Sequence, residues 1–291
     1  MRVTVLGLGN MGFGIAQNLI AKGIPTTVYN RTPAKAAALA AQGASFAPTP
    51  REAAADADVV ISMVADDPAS RAVWLGPDGA LAGSKPAVLV ECSTLSLGWV
   101  AELAGLAALK GLVLLDSPVT GSKGQAAAGQ LGLLVGGNET ALEVARPALE
   151  AFSSFIVHLG PSGSGALMKL INNMMGAVQA ANLAEALVLA ERAGLDMGKV
   201  VQLLSNGAPG SGMVKAKIGV MASRGYQNTQ FALKLMRKDA TYALRAAEQF
   251  GAILPTVAAA REVYGLAENL GFGEADVAAV IEVLALRAKT D

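Results

Sequence analysis

The chain has 291 residues, 53% of them apolar and 16% charged, which suits about two domains of roughly 100–200 residues each and excludes a disordered chain. Lys plus Arg and Asp plus Glu number 23 each, so no excess positive charge is present to hold a nucleic-acid backbone or an anionic membrane. Mean hydropathy is +0.44, yet polar residues or Gly interrupt every apolar stretch before the roughly 18 residues that a membrane span needs.

Val3–Leu6 is the first predicted strand. It leads straight into Gly7-Leu8-Gly9-Asn10-Met11-Gly12 without the charged, apolar and cleavable order of a leader, so a cytoplasmic protein is expected. A helical stretch, Gly14–Ala21, follows. Gly-x-Gly-x-x-Gly between strand and helix suits a dinucleotide. Gly7 permits the tight turn, Gly9 lets the backbone approach a pyrophosphate, Gly12 lets the helix pack on the strand, and the helix N-terminus faces the anion.

The second predicted strand, Thr26–Tyr29, ends in Asn30-Arg31-Thr32, where an NAD enzyme usually carries an acid for the ribose 2′-hydroxyl. One charge pair at 4 Å is worth about 4 kcal/mol at an effective dielectric of 20. An acid at position 30 therefore repels a 2′-phosphate and Asn30 does not. Arg31 can grip that phosphate with a planar fork, with Asn30 and Thr32 as hydrogen-bond donors. NADP(H) is the expected cofactor.

Lys35–Ala41 reads as helical, and further strands are predicted at Val59–Ser62, Val88–Glu91, Leu112–Leu115, Leu131–Val135 and Phe155–Val157. This alternation gives an α/β domain over residues 1–162, a doubly wound parallel sheet of Rossmann type covered on both faces. Cys92 and His158 are the only cysteine and histidine, which excludes an internal disulfide and any metal site built from several such ligands. His158 lies between Val157 and Leu159 and reads as structural, leaving proton chemistry to Lys, Tyr, Asp or Glu.

After Gly163 the strand signal stops. Ala166–Ala193 has no Pro and one interior Gly, a helix of about 42 Å at 1.5 Å per residue. It is expected to leave the first domain and form the spine of an all-helical second one, residues 163–291. Gly198–Leu204, Met213–Ala222, Ala232–Gln249 and Val257–Asn269 supply the other predicted helices. Their Ala- and Met-rich faces point to a homodimer or homotetramer.

Three later segments carry more specific chemistry: Asp116-Ser117-Pro118-Val119-Thr120-Gly121-Ser122-Lys123, then Gly163-Ser164-Gly165-Ala166-Leu167-Met168-Lys169-Leu170-Ile171-Asn172-Asn173, then Lys238-Asp239. Thr120-Gly121-Ser122 offers successive N–H groups and two hydroxyls, a concavity suited to a carboxylate. Lys169 and Asn173, at i and i+4, project from one helix face. Apolar neighbours and a nearby helix N-terminus both favour the neutral amine at Lys169, as suits a proton donor to a carbonyl oxygen receiving hydride. On sequence alone a snorkelling Lys169 and a solvated Lys238-Asp239 pair remain open.

With Gly7–Gly12, these motifs resemble the β-hydroxyacid dehydrogenase family over essentially the whole chain. The family includes dehydrogenases of 3-hydroxyisobutyrate, tartronate semialdehyde and 6-phosphogluconate, and reductases of glyoxylate and succinic semialdehyde. The family more often has Ser-Gly-Gly where this chain has Thr120-Gly121-Ser122, and the latter form looks like the glyoxylate and succinic semialdehyde reductase branch. The resemblance implies Lys169 as the catalytic proton donor and Asn173 as the residue orienting substrate. It further implies that Ser117, Thr120, Gly121, Ser122, Phe231 and Asp239 line the substrate, and that Lys238 contacts cofactor or substrate. Met63, Val64 and Thr94, at carboxyl ends of strands, then line the cofactor beside Gly7–Gly12 and Asn30–Thr32. The family commonly has Pro soon after its Ser-Thr pair, whereas Thr94-Leu95-Ser96-Leu97 stands here.

The expected activity is NADPH-dependent reduction of a small carboxylate-bearing aldehyde or keto acid in a cleft between the domains. The alternatives are an NAD(P)-linked dehydrogenase of the 3-hydroxyisobutyrate or tartronate-semialdehyde type and a non-catalytic NADP-binding module. Lys169 argues against the module, and also against an imine reductase, a branch that generally lacks this lysine.

Overall fold

The computed structural model describes residues 1–85 and 87–286, and the chain divides into two compact units, Met1–Lys169 and Leu170–Asp291. This division falls inside the long helix.

In the first unit the described residues form one nine-stranded sheet. Its strands are β1 (Val3–Leu6), β2 (Thr26–Tyr29), β3 (Ser45–Phe46), β4 (Val59–Ser62), β5 (Val88–Glu91), β6 (Val113–Asp116), β7 (Val119–Thr120), β8 (Leu131–Gly136) and β9 (Ser153–Gly160). The order is β3-β2-β1-β4-β5-β6-β8-β7, with β9 on β8. From β3 to β6 all pairs are parallel. Strands β1, β4 and β5 are buried at every position, which is why they read as continuous apolar runs. Val3, Val5, Val59 and Ile61 pack on one face with Ile15 and Leu19. Leu6, Val60 and Leu89 pack on the other with Trp74 and Trp99. The order reverses at β1, between β2 and β4, and a sheet wound this way binds ligands at the carboxyl ends of the strands there.

The sheet is not parallel throughout. Strand β8 runs antiparallel to β6 and β7, then parallel to β9. Ser117-Pro118 carries β6 on into β7 in the same direction, and β8 returns along both after residues 121–130, fewer than the dozen or so that a parallel crossover requires. Apolar spacing reports a strand's existence, not its direction. The two-residue strands β3 and β7 were not anticipated, and β9 extends beyond Phe155–Val157 as a strand with Phe155, Val157 and Leu159 exposed. In place of a single helix over Lys35–Ala41, a 3-10 turn at Pro33–Ala36 runs into Ala37–Ala40.

The long helix, Ser164–Arg192, has 29 residues and is about 43 Å long. In the second unit it is packed by Met197–Asn206, Gly212–Ala222, Leu233–Gln249 and Pro255–Ala267, around a core that includes Ala177, Ala184, Leu187, Ile218, Met236 and Tyr264. Asp196 and Ser211 cap their helices by accepting the N–H groups of Lys199 and Val214, each cap worth about 1 kcal/mol. The helix expected to reach Asn269 ends at Ala267 in a wider turn, Glu268–Phe272, where Gly271 takes φ +92°. Among the described residues no helix is long and apolar enough to cross a membrane.

Candidate active site

The glycine loop follows β1. Gly7 adopts φ +99°, and a Cβ there would lie 2.4 Å from the Met63 carbonyl oxygen, so the turn closes against the end of β4. A Cβ on Gly12 would sit 2.0 Å from the Gly7 carbonyl oxygen, whereas one on Gly9 would meet no protein atom within 4 Å. Gly9 is also the N-cap of the helix Asn10–Ala21, which has neither a capping side chain nor an acid in its first turn. Two glycines thus serve protein packing, and the third keeps a cradle at a helix N-terminus that a side chain would fill. That arrangement fits a pyrophosphate.

Asn30 ties the end of β2 to this loop. Its side-chain oxygen accepts the Leu8 N–H at 2.9 Å, and its amide donates to the Thr32 carbonyl at 2.9 Å. Expected as a donor to a 2′-phosphate, Asn30 already spends part of its amide inside the protein. Arg31 and Thr32 are exposed. At the end of β4, Met63 N–H donates to Leu6 O and Val64 N–H to Ser93 Oγ at 2.8 Å, joining the loops after β1, β4 and β5. Just after Thr94, Ser96 begins a helix, capping Trp99 N–H and donating to Asp67.

The segment from Asp116 to Ser122 turns between β6, β7 and a short helix. Ser117 is fully buried, and its hydroxyl has no hydrogen-bond partner, while its N–H donates to Glu91 O. Gly121 takes φ +136°, with Leu131 Cδ2 2.9 Å from where a Cβ would stand. Ser122 forms a capping box with Gln125: its N–H donates to Gln125 Oε1 at 2.9 Å and its Oγ accepts Gln125 N–H at 3.3 Å. The cradle expected at Thr120-Gly121-Ser122 therefore lacks the Ser122 N–H, and the hydroxyl protons of Thr120 and Ser122 become its principal side-chain donors.

Asp116 secures the start of the long helix. Its carboxylate, 1% exposed, accepts the N–H groups of Gly163 at 2.7 Å and Ala166 at 2.8 Å. Burial pushes this carboxyl up, against the N–H groups of Gly163, Ala166 and Gly165, which favour the anion. A Cβ on Gly165 would lie 2.1 Å from Leu134 O and 2.5 Å from Asp116 O, so the Gly163-Ser164-Gly165 run lets the first helical turn press onto β6 and β8. Lys169 follows about one turn later, half-buried, with Leu170 buried beside it.

In the second unit, Asn173 donates to Asp239 Oδ2 at 2.6 Å and accepts from Asn172 at 3.0 Å. Lys238 Nζ lies 3.2 Å from Asp239 Oδ1 and 5.3 Å from the centre of the Tyr242 ring. Asp239 is 1% exposed, so the four polar side chains form one cluster whose buried member fixes Asn173. Phe231 is half-buried, and its N–H reaches Asp276 at 3.2 Å.

Asp276 also receives both hydrogen bonds of a buried ion pair with Lys217, at 2.7 and 2.9 Å. This pair was not anticipated, although Val214, Lys217, Ile218 and Met221 share one helical stripe, and a lysine in an apolar stripe is a readable signal. His158 Nε2 lies 2.8 Å from Gly137 O on an exposed strand, a structural contact. The Cys92 thiol is buried and pushed far up by desolvation, which makes it inert.

The fold and the glycine loop define a dinucleotide-binding protein of Rossmann type. Residues 2–160 match the model of the NAD binding domain of 6-phosphogluconate dehydrogenase. Residues 163–284 match that described as NAD-binding of NADP-dependent 3-hydroxyisobutyrate dehydrogenase. The chain is 36% identical to glyoxylate/succinic semialdehyde reductase 2 of Arabidopsis thaliana, over 96% of this chain and 78% of that one. It is 38% identical to 3-hydroxyisobutyrate dehydrogenase of Pseudomonas aeruginosa over 91% of each chain. The crystal structure of 3-hydroxyisobutyrate dehydrogenase from Salmonella typhimurium superposes with a TM-score of 0.89 at 29% identity, over 97% of this chain and 99% of that one. The chain belongs to the β-hydroxyacid dehydrogenase family, whose members act on CH–OH groups.

Proposed function

We propose that the protein reduces a small aldehyde or keto acid bearing a carboxylate to the hydroxy acid, with Lys169 as proton donor and NADPH as cofactor. The observation that carries this reading is the anchoring of the long helix: buried Asp116 holds its first N–H groups, which fixes Lys169 about one turn on. Lys169 stabilises negative charge developing on the carbonyl oxygen and then delivers its proton there. Asn173, held by Asp239, orients the substrate from the next turn. The hydroxyls of Thr120 and Ser122 take the carboxylate. When bound, NADPH supplies the hydride, with Gly7–Gly12 along its pyrophosphate and Met63, Val64 and Thr94 along the strand ends.

The preference for NADPH rests on Asn30, a neutral side chain where an acid would repel a 2′-phosphate, and on the exposed Arg31 beside it. Exposed Leu189, Leu195 and Leu203 in the helical unit support a homodimer or homotetramer. The test is NADPH oxidation over glyoxylate, succinic semialdehyde, tartronate semialdehyde and methylmalonate semialdehyde, repeated with NADH and with Arg31→Ala. Turnover with at least one of the four, and a loss of NADPH affinity in Arg31→Ala that NADH affinity does not share, is the expected result. Equal use of NADH and NADPH by both proteins overturns the cofactor assignment.

A further inference from the structure

Glu91, the last residue of β5, is 1% exposed, and no cation among the described residues pairs with it. Its Oε2 accepts from Ser70 Oγ at 2.7 Å and from Trp74 Nε1 at 2.8 Å. Its Oε1 accepts the Ser93 N–H at 3.0 Å. Trp99 Nε1 donates to Ser70 Oγ at 2.9 Å, which leaves the Ser70 proton free for Glu91. Val64 N–H donates to Ser93 Oγ at 2.8 Å, so Ser93 links Glu91 to the loop after β4. An indole N–H and a backbone N–H can only donate. Trp74 and Ser93 therefore both donate to Glu91, one to each oxygen, and the Ser70 hydroxyl donates beside Trp74.

An uncompensated buried acid is costly, and burial pushes the Glu91 carboxyl up. Both tryptophans of the chain are nevertheless aimed at this network. Its outward ends are the Val64 N–H after β4 and the Ser93-Thr94 turn after β5. We infer that Glu91 is a positioning residue for the dinucleotide: through Ser93 it holds the loops after β4 and β5 in the conformation that receives the cofactor. This rests on the reading of Val64 and Thr94 as cofactor-lining residues.

The test is NADPH titration by calorimetry on the intact protein and on Glu91→Gln, with folding checked by circular dichroism. Glutamine keeps the shape and replaces one acceptor by a donor facing donors. A folded Glu91→Gln that binds NADPH at full stoichiometry with a dissociation constant raised at least tenfold is the expected result, because mere loss of fold lowers stoichiometry and leaves the affinity of the remainder unchanged. A folded variant binding within twofold of wild type overturns the proposal. Should Glu91→Gln fail to fold, Ser93→Ala decides, since it cuts only the link to Val64 and leaves Ser70 and Trp74 on Glu91. Affinity at least threefold weaker supports the proposal, and unchanged affinity overturns it. Wild-type protein that binds neither NADPH nor NADH overturns the cofactor reading itself, and this inference with it.

Discussion

Gly9 and Gly12 carry the same side chain for different reasons, and substitution separates them. At Gly12 a methyl group would stand 2.0 Å from the Gly7 carbonyl, so Gly12→Ala must displace backbone, at a cost of about 1–3 kcal/mol or more. At Gly9, with φ −72° and nothing within 4 Å, alanine is tolerated and adds about 0.4–1 kcal/mol by restricting the unfolded chain. Thermal melts are thus expected to show Gly12→Ala less stable and Gly9→Ala equal to or above wild type, while NADPH titration shows both weakened. A Gly9→Ala protein with wild-type NADPH affinity would remove the pyrophosphate from this loop. Lys169→Ala is the complementary case: NADPH affinity is retained and kcat falls at least about a hundredfold. The geometry of the two glycines was legible because the motif spacing states it. The commitments of Asn30 to Leu8 and of Ser122 to Gln125 were not, because a polar side chain does not announce in sequence which of its partners lie inside the protein.

Between elements, the buried pair of Lys217 and Asp276 joins the helix Gly212–Ala222 to the segment that begins Leu233–Gln249. Asp276 accepts from Lys217, Gln230, Phe231 and Ala278. Burial pushes its carboxyl up, but Lys217 and the N–H groups outweigh burial and leave it below the ordinary value of 3.8. An acid whose native value lies below its unfolded one contributes stability above the unfolded value, and that contribution is lost as pH falls through the native one. Asp276→Asn strands a buried ammonium, and removing one partner of a buried pair costs about 3–5 kcal/mol. Urea unfolding at pH 7 should show that deficit, and it should narrow below pH 4. A deficit of the same size at pH 7 and pH 3 would exclude the carboxylate charge as its origin. Element existence was legible where burial on both faces makes a strand continuously apolar, as in β1, β4 and β5. It failed at β3 and β7, two residues each, and direction failed at β8, because pairing depends on connections that periodicity does not encode.

For the molecule as a whole, the helical unit exposes several large leucines. Leu189 is 71% exposed, Leu195 57% and Leu203 70%, and the helix Met197–Asn206 has no fully buried residue. Its Met197, Val200, Val201 and Leu204 are only partly covered by the unit's own core. Scattered exposed leucines are ordinary, but three between positions 189 and 203 are candidates for cover by self-association. In a two-fold dimer each substitution acts twice. Burying one leucine is worth about 1.5–3 kcal/mol, so two leucines in two copies contribute about 6 kcal/mol at the lower bound. A loss of that size moves a nanomolar dissociation constant into the tens of micromolar. Sedimentation equilibrium should therefore find the 29.4 kDa chain as a dimer or tetramer at micromolar concentration, and Leu189→Glu with Leu203→Glu as a folded monomer. A wild-type monomer near 100 micromolar would show that these leucines do not join copies of the chain. An unchanged oligomer in the double variant would move the interface to another face, β9 with its exposed Phe155 and Val157 being the next to test.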